Sequence, residues 1–279
     1  MKVDCSSIIG FCSGVERVLE LAKRLLESNE KVYCIGELAH NKHVMEAFKA
    51  KGLVCIENAS GQEPGVAIIG AHGIADSKRS EFERSGYTLV DGTCPLIHVS
   101  RSLIIKNAKH AKACLIAGQK GHAEVEGLMD TWVFEGVKAP AFVVESPEDV
   151  ESLPDGLSYF LLCQTTFQTD AYEQIRKAVL DRFPQAKCKC TICNSSLKRR
   201  SEASRLAHDN DVVVVVGSER SANSKALASL VEKEGAAAVL VDSLEMLPSL
   251  KSAGRIGLCS GSSAPREDVM AIKEALENA

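Results

Sequence analysis

The chain has 279 residues, 45% of them hydrophobic and 25% charged, with a net charge of −4. That length suggests about two domains as a prior, and that charge excludes a broad basic surface for nucleic acid. No apolar run reaches the roughly 20 residues of a membrane span, and Met1-Lys2-Val3-Asp4-Cys5 opens no apolar leader, so a cytoplasmic protein without a membrane partner is expected.

In chain order, Val15, Val18, Leu19, Ala22, Leu25 and Leu26 recur at helical spacing and predict a helix over 13–28. A strand over 31–35 runs into Gly36-Glu37-Leu38-Ala39-His40-Asn41, and a helix over 42–50 follows. Strands are expected over 53–56 and 66–69, the second ending in Gly70-Ala71-His72-Gly73. A polar helix over 75–85 and a strand over 87–90 lead to Asp91-Gly92-Thr93-Cys94-Pro95, with proline at the first position of the next helix. A second pass has a strand over 113–117 running into a glycine-bounded loop, Gly118-Gln119-Lys120-Gly121-His122-Ala123-Glu124. Strands over 141–144 and 159–162 follow, the latter ending in Cys163-Gln164-Thr165-Thr166, and a helix over 171–182 closes the pass. A third starts at Cys193, with a helix over 198–208 and a strand over 212–216 that leads into Gly217-Ser218-Glu219-Arg220-Ser221-Ala222-Asn223. Strands over 238–241 and 256–258, the loop Cys259-Ser260-Gly261-Ser262-Ser263 and a helix over 266–278 complete it.

The spacing repeats. His40 lies 28 residues after Cys12, His122 lies 28 after Cys94, and Ser221 lies 28 after Cys193. A second polar loop follows each cysteine: His72 at 60 residues, Thr165 at 71 and Ser263 at 70. A period near 80–100 residues is too long for a solenoid. It predicts an α/β fold of three similar α/β domains, 13–93, 94–190 and 191–279, with residues 1–12 packing on the third. Each has a small parallel sheet, and the three surround a pseudo-threefold axis and a central cavity. Ligands of open parallel sheets bind outside the carboxyl ends of the strands, where all of these loops lie.

Eleven cysteines are many for such a chain, and their number is odd. A disulfide framework belongs to small secreted domains, so Cys5, Cys34, Cys55, Cys114, Cys163, Cys188, Cys190 and Cys259 read as small buried hydrophobes. Cys12, Cys94 and Cys193 stand apart in matched loops, and three thiolates suit zinc or an iron–sulfur cluster. Cys188, Cys190 and Cys193 have the close spacing of half a zinc finger but no second half. With three protein thiolates, a cluster keeps one iron open as a Lewis acid. His40, His72 and His122, with Ser221, Asn223 and Ser263, suit an anion such as a diphosphate. Glu124 could donate a proton, and Thr165 and Thr166 could bind a hydroxyl or cap the following turn. His43, His98, His110 and His208 fall within helices and carry no assigned role.

Gly10-Phe11-Cys12-Ser13-Gly14-Val15, His40-Asn41, Ala71-His72-Gly73, Asp91-Gly92-Thr93-Cys94-Pro95-Leu96, Gly121-His122-Ala123-Glu124-Val125-Glu126-Gly127, Gln164-Thr165-Thr166, Thr191-Ile192-Cys193 and Ser263-Ala264-Pro265 resemble the 4-hydroxy-3-methylbut-2-enyl diphosphate reductase family along essentially the whole chain. The resemblance implies one 4Fe–4S cluster per chain, held by Cys12, Cys94 and Cys193, with one open iron for the substrate's allylic hydroxyl. It implies a two-electron, two-proton reductive dehydroxylation yielding isopentenyl and dimethylallyl diphosphate, the last step of non-mevalonate isoprenoid biosynthesis. Glu124, Thr165 and His122 would be catalytic. The diphosphate substrate would meet His40, His72, His122, Thr165, Thr166, Ser221, Asn223 and Ser263, and a ferredoxin or flavodoxin would supply electrons. An aconitase-like hydro-lyase and a non-catalytic iron–sulfur redox sensor are the competing readings. The sequence departs from the family's usual pattern at Ile9, Ala222 and Arg266.

Overall fold

Short strands buried along their whole length belong inside sheets covered on both faces. Val32–Ile35, Ala113–Ala117, Tyr159–Cys163 and Ile256–Ser260 are such strands in the computed structural model. It describes residues 2–28, 31–131, 133–134, 137–250 and 253–278. The elements are β1 (Val3–Cys5), α1 (Ser13–Ser28), β2 (Val32–Ile35), α2 (Lys42–Lys49), β3 (Leu53–Ile56), β4 (Val66–Ile69), α3 (Asp76–Arg84), β5 (Thr88–Asp91) and α4 (Pro95–Ala108). Then come β6 (Ala113–Ala117), α5 (Ala123–Asp130), β7 (Val133–Phe134), β8 (Val137–Lys138), β9 (Ala141–Val144), β10 (Tyr159–Cys163), α6 (Thr169–Arg182) and β11 (Lys187–Cys188). Last are α7 (Asn194–Asp209), β12 (Val212–Val216), α8 (Ala222–Lys233), β13 (Ala237–Val241), β14 (Ile256–Ser260) and α9 (Arg266–Asn278). Among the described residues, no helix is long and apolar enough to cross a membrane.

The chain divides into two compact units, one of Met1–Lys23, Glu37–Lys51 and Asn194–Ala279, the other of Arg24–Gly36 and Gly52–Cys193. The second unit holds two parallel sheets, ordered β3-β2-β4-β5 and β9-β6-β10-β11. The first holds one, ordered β13-β12-β14-β1. The order is the same in all three. Each sheet has a first strand near its centre (β2, β6 or β12), a second on one edge (β3, β9 or β13), and a third on the first strand's other side (β4, β10 or β14). The edge strand beside the third is β5, β11 or β1, and each runs on in sequence to a cysteine: Cys94, Cys193 or Cys12. The fold is α/β with three small parallel sheets, as the sequence predicts.

Alternation along the strands fills both faces. Tyr159, Leu161 and Cys163 pack into one core of the β10 sheet, while Phe160 and Leu162 pack into the other. Val214 and Val216 face α9 through Val269 and Ile272, and Val213 and Val215 face α7 and α8 through Leu206 and Leu227. Two covered faces explain why these strands read as unbroken apolar runs.

Several elements differ from the sequence reading. Helices α5 and α8 begin in stretches expected as loop and run on through residues to which the sequence reading gives no element, and α7 begins at Asn194, directly after Cys193. The first turns of α5 and α8 bury polar side chains, Glu124 in one and Asn223 and Ser224 in the other, which hides the apolar stripe. The short strands β1, β11, β7 and β8 also lie outside the sequence reading. Gly118 and Gly217, each 24 residues after a cysteine, let α5 and α8 approach the strand ends. A Cβ on Gly118 would lie 2.7 Å from Val125 Cγ2 and 3.1 Å from Gln164 Cβ, both on buried residues. Gly118→Ala is expected to cost about 1–3 kcal/mol by overpacking, seen as a lower thermal unfolding midpoint.

Candidate active site

In each sheet the first and third strands are neighbours with the second outside the first, and in the β2 and β6 sheets the chain then leaves the third toward the opposite edge. Their carboxyl ends therefore form a topological switch point. The loops there carry His72 in the β2/β4 sheet, His122 and Thr165 in the β6/β10 sheet, and Ser221 and Ser263 in the β12/β14 sheet. The loop after β2 carries His40.

The 28-residue spacing has a structural cause. It counts one helix, one strand and the turn to a helix cap. His122 is the N-cap of α5, and its Nδ1 accepts from the Glu124 N–H at 3.2 Å. Ser221 is the N-cap of α8, and its side chain accepts from the Ser224 N–H at 3.3 Å. His40 precedes Asn41, the N-cap of α2, whose Oδ1 accepts from the Val44 N–H at 2.9 Å. First-turn N–H groups and the helix dipole favour an anion at such ends. The rings of His72 and His122 meet edge to face with centroids 5.3 Å apart.

Glu124 is 1% exposed, on the first turn of α5 rather than in a solvated loop. The Thr165 N–H donates to its Oε1 at 2.6 Å and the Thr165 hydroxyl to its Oε2 at 2.8 Å. Burial pushes the Glu124 carboxyl up to about 7, against the two Thr165 hydrogen bonds, which pull it down. It is thus poised to hold or release a proton near neutrality. The Thr165 carbonyl accepts from the Cys193 N–H at 2.9 Å, so Thr165 touches both Glu124 and the loop of a candidate ligand. Thr165 and Thr166 do not cap α6, whose N-cap is Gln168. Gln164 stands in a motif of the sequence reading but has no role there. Its Oε1 accepts from the Gln119 N–H at 3.0 Å and its Nε2 donates to Thr166 Oγ1 at 3.1 Å, tying together the loops after β6 and β10.

All eleven cysteines are thiols rather than halves of disulfides. Cys12, Cys94 and Cys193 are partly exposed and each precedes the first residue of a helix, α1, α4 or α7. Their N–H groups donate to Ser262, Ala71 and Thr165 carbonyls at 3.0, 2.9 and 2.9 Å. Three such thiols at helix starts fit a negatively charged iron–sulfur centre. The strand cysteines differ: burial pushes the Cys163 and Cys259 thiols up to about 12 and raises that of Cys114 as well.

The first unit shows two further features. Asn223 is buried and its Nδ2 has no hydrogen-bond partner among the described residues, as suits a side chain that meets a ligand. Arg199, 3% exposed on α7, escaped the sequence reading. Its Nη2 donates to the Gly10 carbonyl at 2.7 Å and its Nη1 to Ser260 O at 3.0 Å, Ser260 Oγ at 3.2 Å and Gly261 O at 3.3 Å. It ties the loop before Cys12 to the loop that carries Ser263. A cation six residues beyond Cys193, on the helix face of Ala203 and Leu206, was its only signal in the sequence. Ser263 Oγ donates to the His40 carbonyl at 3.4 Å. Of the departures, Ile9 packs beside the core of Val3 and Leu258, Ala222 opens α8, and Arg266 opens α9 with its Cβ against Gly10.

A three-sheet α/β protein with a protonatable buried carboxyl beside matched polar loops is the class that this geometry defines. Residues 3–277 match the LytB protein family, and the chain belongs to it. A relative from Methylibium petroleiphilum is 36% identical over 96% of this chain and 82% of its own length. One from Pseudomonas putida is 34% identical over 99% and 90%. Both are named 4-hydroxy-3-methylbut-2-enyl diphosphate reductase. The solved E-1-hydroxy-2-methyl-but-2-enyl-4-diphosphate reductase from Plasmodium falciparum superposes with a TM-score of 0.91 at 26% identity, covering 99% of this chain and 88% of that one. A second reductase structure, 23% identical with a TM-score of 0.72, shares the fold.

The raised Glu124 carboxyl has a thermodynamic consequence. The unfolded group ionises near its ordinary 4.5 and the folded one near 7, so the folded state keeps the proton longer. Its contribution to stability is full below 4.5 and is lost as pH rises to 7. Urea unfolding is expected to show wild type losing on the order of 3 kcal/mol relative to Glu124→Gln across that interval. Arg199→Met, which leaves several buried acceptors without their donor, is expected to lower stability by about 3 kcal/mol or more in the same measurement.

Proposed function

We propose that this chain reduces 4-hydroxy-3-methylbut-2-enyl diphosphate to isopentenyl and dimethylallyl diphosphate. The allylic C–O bond is replaced by C–H, two electrons and two protons are consumed, and the hydroxyl leaves as water. The observation that carries the reading is the buried Glu124 carboxyl, pushed up to about 7 and clasped by Thr165. The family and its reductase relatives support it.

Cys12, Cys94 and Cys193 would hold one 4Fe–4S cluster, which when bound supplies electrons and, at an iron without a protein ligand, Lewis acidity toward the leaving hydroxyl. His40, His72, His122, Ser221, Asn223 and Ser263 would bind the diphosphate, with first-turn N–H groups of the capped helices adding to them. Thr165 and Thr166 would orient the substrate hydroxyl. Glu124, neutral below about 7, would give its proton to the departing oxygen through the Thr165 hydroxyl, with the neighbouring His122 completing the relay. A ferredoxin or flavodoxin would deliver single electrons, as expected of a cytoplasmic enzyme. The division into domains 13–93, 94–190 and 191–279 belongs to the same proposal.

Anaerobic assay of the reconstituted protein with an artificial one-electron donor tests it. Wild type is expected to turn over, with a rate that falls as pH rises through about 7, where the carboxyl loses its proton. Glu124→Gln should reduce turnover by about 10²-fold or more while the cluster absorption persists. Normal turnover in that variant would remove Glu124 from the mechanism.

A further inference from the structure

His40 is held from behind. Its Nδ1 lies 3.2 Å from Glu37 Oε2, and the other carboxylate oxygen, Oε1, accepts from Arg220 Nη1 at 2.8 Å. The Glu37 and His40 side chains are 26% and 24% exposed, whereas that of Arg220 is 73% exposed. Glu37, His40, Ser218, Arg220 and Asp242 line one cleft of about 340 Å³ in the first unit. The backbone beneath the imidazole is pinned separately, by Ser263 Oγ on the His40 carbonyl and by the Asn41 cap of α2.

We propose that Glu37 is a positioning residue for diphosphate binding, fixing the ring orientation of His40. This rests on the reading that His40 binds the diphosphate. A carboxylate at one nitrogen decides what the other nitrogen can do. With Nδ1–H donating to Glu37, a neutral ring offers an anion only the Nε2 lone pair. A ring protonated at both nitrogens donates Nδ1–H to Glu37 and Nε2–H to a phosphate oxygen. Glu37 thus fixes which ring nitrogen of His40 is left to face the ligand. Arg220 steadies the carboxylate from the loop after β12, but an ion pair with so exposed an arginine is weak. Glu37 carries most of the effect.

The probe is inorganic pyrophosphate, titrated calorimetrically into the reconstituted full chain, alongside steady-state kinetics. Glu37→Ala is expected to weaken pyrophosphate binding about tenfold and raise KM about as much, with kcat within about twofold. Glu37→Gln, which still accepts from Nδ1–H, should recover part of that loss, and Arg220→Ala should shift affinity by no more than about twofold. Nitrogen chemical shifts of His40 should report an Nδ1–H hydrogen bonded to Glu37 in pyrophosphate-bound wild type and the loss of that bond in Glu37→Ala. Unchanged affinity and KM in Glu37→Ala would overturn the inference. So would equal losses in Ala and Gln with a lowered unfolding midpoint, the mark of a merely structural role. If wild type reduces no substrate yet loses pyrophosphate affinity on Glu37→Ala, the proposed function fails and the role of Glu37 stands.

Discussion

The Glu124 carboxyl has given up its water, and two hydrogen bonds from Thr165 replace it. That exchange constrains much of the second unit's architecture. It needs α5 to begin where the β6 loop ends, so that the first helical turn carries the carboxylate inward. It needs β10 to end with Thr165 opposite, and it needs Gly118 to leave room for Val125 and Gln164 between them. A carboxylate on the surface would have met the same residue types without acquiring a raised affinity for its proton. Burial is what turns an ordinary side chain into an acid useful near neutrality.

The repeated strand order gives that arrangement its context. Each sheet offers two loops at a switch point, and each edge strand beside the third runs on to a cysteine at the start of a helix. Strand β1 closes the pattern. It supplies the sheet of the last repeat with its edge strand and then leads into the first cysteine. One local design is therefore used three times with different side chains: a histidine cap in α5, a serine cap in α8 and an asparagine cap beside His40 in α2. The dry carboxylate belongs to the second repeat, where the buried first-turn residue is Glu124. The corresponding turn of α8 buries Asn223, an uncharged donor.

Much of this was legible before any coordinates. Residues such as Val212–Val216, continuous apolar runs between glycines and polar loops, announce interior parallel strands. The equal distances from Cys12, Cys94 and Cys193 to His40, His122 and Ser221 announce a repeat. What escaped was the start of the helices at the site. The first turns of α5 and α8 bury polar groups, so amphipathic periodicity is weakest where function is densest. The repeat itself held the missing signal, because the helix expected after His40 implies its counterparts after His122 and Ser221. The roles of Arg199, Gln164 and Glu37 escaped for another reason. Arg199 and Gln164 act through partners distant in sequence, Gly10 and Ser260 for the one and Gln119 for the other, which no local pattern marks, and Glu37 acts on His40 from a loop that has no periodic pattern to mark the pair.

The proposal that three cysteines share one cluster is tested most directly by iron and sulfide content across a series of single Cys→Ser variants reconstituted in parallel. Cys12→Ser, Cys94→Ser and Cys193→Ser should each lose the cluster absorption and most of the bound iron. Cys34→Ser and Cys190→Ser should match wild type. Full iron content in any of the first three, or its loss in Cys190→Ser, would contradict the assignment of the ligands.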